Sequence, residues 1–281
     1  HPPFQFPMPN FLLSLLLFSN GFPAATKEGP ALAEQFKKHG VSGCFVLLDP
    51  QADVLHVYNQ KRAVTRFQPA STFKIVNALM GIEVKAVKNL DEVIPYGGTK
   101  NEFLEIWEQD MNLRDAMKVS NVPVFHQLAK RIGPGRMSAM LTSFRYGNHD
   151  IGGDMDVRFW LKGPLNITPI EQVEFLDRLS AGKLRMPEHS GGGKFVKPES
   201  TRDLRELIRY ERTDERTIYA KTGWLMNGPD EPQVGWWVGW IERKDGARFP
   251  FALNIEIKKE EDAKERIPLA LECVTAVLSG K

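Results

Sequence analysis

Apolar runs cluster at the two ends of the chain, and helical periodicity fills the middle. Val41 to Asp49 (VSGCFVLLD) and Ala52 to Tyr58 surround Pro50-Gln51 and predict a β-hairpin, preceded by a helix over Pro30 to His39. Near the C-terminus, Gln233 to Arg243 (QVGWWVGWIER) and Phe249 to Ile257 (FPFALNIEI) predict two strands joined by the turn Lys244-Asp245-Gly246. Glu261 to Ser279 follows with the spacing of an amphipathic helix. Asn112 to Lys118, Val122 to Ile132, Pro134 to Phe144, Thr168 to Ala181 and Ser200 to Tyr210 carry apolar residues at helix spacing, separated by Gly, Pro and Asn loops. The pattern predicts an α/β protein of the α+β type. A mostly antiparallel sheet with flanking helices comes from both ends, about 26–65 and 215–281, and a helical lobe, about 66–214, is inserted between them.

The chain has 281 residues, 42% of them hydrophobic, enough for one large domain or a two-lobed one. Its 37 basic and 35 acidic residues leave a formal charge of +2, which gives no electrostatic reason to expect nucleic acid or a membrane surface as partner. A small molecule fits better. Ser190-Gly191-Gly192-Gly193-Lys194 lacks the spacing of a phosphate-binding loop and reads as a turn.

Chemistry enters at Ser71-Thr72-Phe73-Lys74, set after Pro69-Ala70 at the head of the apolar stretch Ile75 to Met80. Residues three apart on a helix share a face, so the Ser71 hydroxyl and the Lys74 amine come within hydrogen-bond reach. A neutral amine there removes the serine proton, the activation that a covalent nucleophile needs. One such motif is also explained by an ordinary helix start. Three more motifs follow in order: Ser120-Asn121-Val122, Tyr146-Gly147-Asn148, and Lys221-Thr222-Gly223 ahead of Trp224.

Together with the triplet Phe159-Trp160-Leu161, these motifs resemble the class D serine β-lactamases, the oxacillinases, from about Val41 to the C-terminus. The resemblance implies the penicillin-binding-protein and serine β-lactamase fold, with Ser71, Ser120 and Lys221 meeting in a crevice between the lobes. It implies hydrolysis of a β-lactam: Ser71 as nucleophile, Lys74 as its base, and Ser120 passing a proton to the departing nitrogen. Lys221, Thr222 and Arg266 would face the substrate carboxylate, and the N–H groups of Ser71 and Trp224 would form the oxyanion hole. Gly223 would let the ligand approach the strand edge.

The family also implies that Lys74 carries carbon dioxide as a carbamate (N6-carboxylysine), held by the Trp160 indole N–H, in dry surroundings to which Val122 contributes. Tyr146 and Asn148 would shape the crevice wall, and Trp107 and Leu161 would line it. Two rivals share these motifs: a penicillin sensor that is acylated and stays so, and a DD-peptidase. The sensors tend to carry a polar residue where Val122 stands.

Phe11 to Phe18 is an apolar run of signal-peptide length, too short to span a bilayer, with Pro23-Ala24-Ala25 as small residues after it. Residues 1–25 are therefore expected to be a signal peptide whose start is truncated or misassigned, since the chain begins at His1. Export to a bacterial periplasm is expected, as a monomer or homodimer with no membrane span in the mature chain. The six histidines show no paired ligand spacing, so no metal is expected, and no cofactor beyond carbon dioxide or bicarbonate. Cys44, in a strand, and Cys273, in the last helix, are either bridged or two buried thiols.

Overall fold

The structure, a computed structural model, describes residues 25–98, 100, 104–153, 159–188, 193–227 and 233–279. The expected signal peptide lies outside the described residues except for Ala25, and so do the glycines 191 and 192 and residues 228–232.

Strands β1 (Ala25–Glu28), β2 (Gly43–Asp49), β3 (Val54–Tyr58), β4 (Arg209–Arg212), β5 (Arg216–Leu225), β6 (Gln233–Arg243) and β7 (Arg248–Ile257) form one sheet in the order β1-β3-β2-β7-β6-β5-β4. β1 runs parallel to β3, and the other neighbours are antiparallel. N-terminal and C-terminal strands thus share a sheet, with β2 beside β7, as the pattern at the two ends predicts.

Helices cover both faces. α1 (Pro30–His39) and the last helix, α9 (Arg266–Leu278), pack on one side, where Phe45, Leu47, Trp237, Phe251 and Leu269 meet. α7 (Pro169–Ser180) and the helical lobe pack on the other, against Val46, Leu48, Trp236, Val238 and Trp240. A strand buried on both faces reads as a continuous apolar run instead of an alternating one, which is why β2 and β6 look as they do. The lobe comprises α3 (Phe73–Glu83), α4 (Leu113–Lys118), α5 (Val122–Ile132), α6 (Pro134–Ser143) and α8 (Pro198–Ile208); the short α2 (Gln60–Ala63) follows β3.

Two expectations are corrected, and one question left open by the sequence is decided. The segment predicted as one helix from Glu261 is a 3-10 turn, Glu260–Glu265, followed by α9, with Pro268 in α9's first turn, where a missing N–H leaves no bond unmade. The helix predicted to reach Tyr210 ends at Ile208, and β4 begins at the next residue. Cys44 and Cys273 are free, because Cys44 points to the α7 side of the sheet and Cys273 sits in the cluster on the opposite side. Burial pushes the Cys44 thiol up to about 12 and raises Cys273 as well, so both are inert packing groups. Among the described residues no helix is long and apolar enough to cross a membrane.

Candidate active site

Ser71 lies in a one-turn 3-10 helix, Ala70–Thr72, that runs directly into α3. Ala70 has φ +49°, a left-handed conformation that costs a non-glycine residue roughly 1 to 2 kcal/mol and that is held only where the surroundings over-determine it. The Ala70 N–H donates to the Trp160 carbonyl at 3.0 Å, tying the Ser71 turn to the Phe159-Trp160 loop.

Lys74 follows one turn later, and its Nζ sits 2.8 Å from Ser71 Oγ. The side chain is completely buried, with the Phe125 ring 5.5 Å from the amine. Burial, helped by the charge of Lys221, holds the amine well below the usual lysine range, so the neutral form is populated. α5, whose first residues are Val122 and Pro123, supplies Phe125 to this chamber, and Val122 is buried.

The Trp160 ring stacks on Phe73 at 5.1 Å and meets His126 edge-on at 4.9 Å. Its indole N–H is buried and has no hydrogen-bond partner among the described residues. A buried donor left unmade costs about 1 to 3 kcal/mol, so this one is set to meet an acceptor. Ser120 also takes a left-handed conformation, φ +58°, and its Oγ is buried without a partner among the described residues. The next residue, Asn121, fixes that corner: its Oδ1 accepts from Val124 N–H at 2.9 Å as the cap of α5, and its Nδ2 donates to the Trp107 carbonyl at 3.3 Å. Trp107 is itself held by its indole N–H on the Val119 carbonyl at 3.0 Å.

Lys221, Thr222 and Gly223 stand on β5. β4 pairs with this strand only as far as Tyr219, so the edge from Ala220 to Leu225 has no strand beside it. A Cβ on Gly223 would lie 3.0 Å from Thr72 and 3.2 Å from the Pro69 carbonyl oxygen. The glycine therefore lets β5 close on the Ser71 turn, a role additional to the ligand approach expected for it. Lys221 is 7% exposed, and burial with the nearby Arg266 cation brings it down to about 7. Its Nζ donates to the Thr222 carbonyl at 3.1 Å.

Arg266 opens α9. It donates to the Ala263 carbonyl at 2.6 Å and the Gly223 carbonyl at 2.8 Å, and its guanidinium lies 5.6 Å over the Trp224 ring. Burial brings it down to about 10, so it stays a cation through the neutral range. Trp224 and Arg266 border a cavity of about 370 Å³ that Ile267 and Lys264 also line.

Tyr146 is placed differently from the expectation. It is 1% exposed, with its ring edge-on to Phe73 and Phe175, so it braces α3 from behind instead of forming the crevice wall. Asn148 ties two loops together, donating from Nδ2 to the Pro164 carbonyl and accepting from Asn166 N–H. Leu161 is half-buried against the core.

Thr72, Asn121 and Gln172 are buried polar residues of this region that received no role from the sequence. Gln172 carried a readable signal: it falls on the buried face of α7 with Phe175, Leu176 and Leu179, where a polar side chain needs a partner.

Comparison with known proteins agrees with this geometry. Residues 43–274 match the penicillin binding protein transpeptidase domain. β-Lactamase OXA-5 of Pseudomonas aeruginosa is 37% identical over 257 residues, 91% of each chain. The crystal structure of FUS-1 (OXA-85), a class D β-lactamase from Fusobacterium nucleatum subsp. polymorphum, superposes with a TM-score of 0.80 at 37% identity, covering 89% of this chain and 98% of that one. The regulatory protein BlaR1 of Bacillus licheniformis is 32% identical over 250 residues, 89% of this chain and 39% of its own length. A serine and a buried amine in contact, the three downstream motifs and similarity over nearly the whole length lead to one assignment: the chain belongs to the class D serine β-lactamases.

Proposed function

We propose that this chain hydrolyses the lactam ring of penicillin-type antibiotics through an ester on Ser71, with Lys74 as general base. The observation that carries the proposal is the 2.8 Å contact between Ser71 Oγ and a fully buried amine whose pKa burial holds well below the usual lysine range. Lys74 takes the Ser71 proton as Oγ bonds to the lactam carbonyl carbon. The C–N bond breaks, and Ser120, whose Oγ has no competing partner among the described residues, relays the proton held by Lys74 to the departing nitrogen, which leaves Lys74 neutral again. The N–H groups of Ser71 and Trp224 receive the negative charge that develops on the carbonyl oxygen. Lys74 then takes a proton from the water that attacks the ester and returns it to Ser71 Oγ as the ester C–O bond breaks.

The chamber suits a carboxylated Lys74. The amine is neutral enough to accept carbon dioxide, and the Trp160 N–H is a buried donor without an acceptor. When present, the carbamate supplies an anionic base in place of the amine, and Trp160 would hold it. In Trp160→Phe, which removes the N–H and keeps an aromatic ring, we expect steady-state turnover to fall about 10-fold or more, in line with the loss of a charged hydrogen bond. Added bicarbonate should restore part of it, and acylated protein should accumulate in intact-mass spectra. Unchanged turnover with no bicarbonate response would assign Lys74 the role of a simple amine base.

Arg266, with Lys221 and Thr222, would bind the substrate carboxylate. Arg266→Ala should raise KM by about 10- to 100-fold, the range for one charge-assisted hydrogen bond, with a smaller change in kcat. Arg266 lowers the Lys221 pKa, so its removal should raise it. The step that Lys221 contributes to the pH profile of kcat/KM near about 7 should then move to higher pH.

The similarity to BlaR1 favours a second reading, a receptor domain that is acylated and not released. A chromogenic cephalosporin separates the two: many turnovers per chain mean a hydrolase, and one stoichiometric burst means a sensor. We also propose export to the periplasm, from the apolar run Phe11 to Phe18; recovery of activity in the periplasmic fraction of a bacterial host checks it.

A further inference from the structure

Three buried polar side chains behind the nucleophile take no part in the reaction described above. Gln172 of α7, Thr72 beside Ser71 and Tyr146 after α6 are each 1% exposed, and they converge on one another. Buried polar groups persist only when their hydrogen bonds are made, and here the bonds have a fixed direction. Thr72 has a single hydroxyl proton, and it goes to the Pro69 carbonyl at 2.6 Å. Whatever reaches Thr72 Oγ1 from the other side must donate, and Gln172 Nε2 does so at 3.0 Å. The same amide nitrogen lies 3.4 Å from the Tyr146 hydroxyl.

The Thr72-to-Pro69 bond spans Ala70 and Ser71. It closes the turn in which Ala70 is held at φ +49°, next to the nucleophile. α7 and the residues leading into it are fastened to the segment entering this turn at two more points: Arg66 pairs with Glu171 of α7 at 2.5 Å, and the backbone of Ile167, just before α7, bonds to that of Phe67. Gln172 is the point where α7 reaches the turn itself.

We infer that Gln172 is a positioning residue for acylation: it orients the Thr72 hydroxyl onto the Pro69 carbonyl, and so holds the left-handed Ala70 and the place of Ser71 Oγ and N–H. The inference rests on the reading of Ser71 as nucleophile. A displacement of the attacking atom by about an ångström is enough to cost on the order of 100-fold in rate.

The test is the acylation rate constant, read by stopped flow with a chromogenic cephalosporin, on Gln172→Met, Thr72→Val, Thr72→Ser and the Gln172→Met/Thr72→Val double variant. Gln172→Met keeps the length of the side chain and removes the amide. We expect it to acylate about 10- to 100-fold more slowly, with the initial binding constant within about threefold of the parent, as for a group that positions the nucleophile without touching substrate. Thr72→Val should fall into the same range, Thr72→Ser should stay near the parent, and the double variant should be no slower than the slower single one, because both remove the same bond. A folded Gln172→Met that acylates like the parent would overturn the inference, as would independent, multiplying losses in the double variant. If Gln172→Met does not fold, the contrast between Thr72→Ser and Thr72→Val decides, and equal rates for the two reject it. Peptide mapping of the parent adduct separates this inference from the reading beneath it. A label on Ser71 with unaffected variants rejects only the role of Gln172, whereas a label elsewhere removes Ser71 as nucleophile.

Discussion

In the Ser71→Ala chain, β-lactam turnover should disappear while the fold remains. The hydroxyl is the group of the residue that the proposed reaction uses, and it stands 2.8 Å from Lys74 Nζ. The loss should reach the scale seen when a nucleophile is removed from a serine hydrolase, on the order of 10⁶ in kcat. Stability should change by less than about 2 kcal/mol, because one hydroxyl is lost from a helix start. The Ser71 N–H survives the substitution, so substrate should still bind. Hydrolysis by a chromogenic assay, intact-mass analysis for the missing adduct and a thermal melt make the measurement. Substantial turnover by this variant would remove Ser71 as nucleophile.

Lys74→Met should abolish activity and raise stability together. Burial depresses the pKa of Lys74 below its unfolded value, so the unfolded chain binds the proton that the folded chain releases. Below its ordinary value near about 10.4, therefore, this lysine destabilises the fold, and stability rises with pH from the folded pKa up to that value. Methionine has a similar volume and no charge to lose. We expect Tm to rise, by about 2 to 4 °C for each kcal/mol recovered in a domain near this size. Acylation and deacylation should both fail, because one base serves both steps. The same sign sets the expected pH profile of the parent: as pH falls through the Lys74 pKa the amine is protonated and would cease to serve as the proposed base or to hold carbon dioxide, so activity should decline. A Lys74→Met variant that melts below the parent at neutral pH would show that contacts of the amine outweigh the cost of burying it. One that acylates at the parental rate would remove Lys74 as base.

Much of this was readable from residue order because the chemistry uses short spacings. Ser71 and Lys74 are one helical turn apart, and that spacing alone brings them to 2.8 Å. The apolar runs of β2, β6 and β7 announced strands buried on both faces, and Pro, Gly and Asn marked most helix boundaries. Reading failed where a segment's neighbours decide its form. The stretch after Glu260 has helix spacing, yet it begins as a 3-10 turn before α9. β4 looked like the end of a helix, and it is a strand because β5 is there to pair with it.

The sequence by itself determined the candidate reacting groups and their local geometry: the serine and amine on one turn, the four motifs, and the apolar content that makes a buried lysine possible. Only the tertiary structure decided what surrounds them. It placed Cys44 and Cys273 on opposite faces of the sheet, turned Tyr146 into the core, left the edge of β5 open beside Ser71, and brought Gln172 from 100 residues away onto Thr72. Periodicity records which face of an element is buried, because each residue's environment repeats with the local backbone. It carries no information about which distant face lies opposite. That pairing is fixed by packing across the whole core, and it sets the burial that depresses Lys74, leaves the Trp160 N–H without an acceptor and holds Ala70 in its left-handed turn.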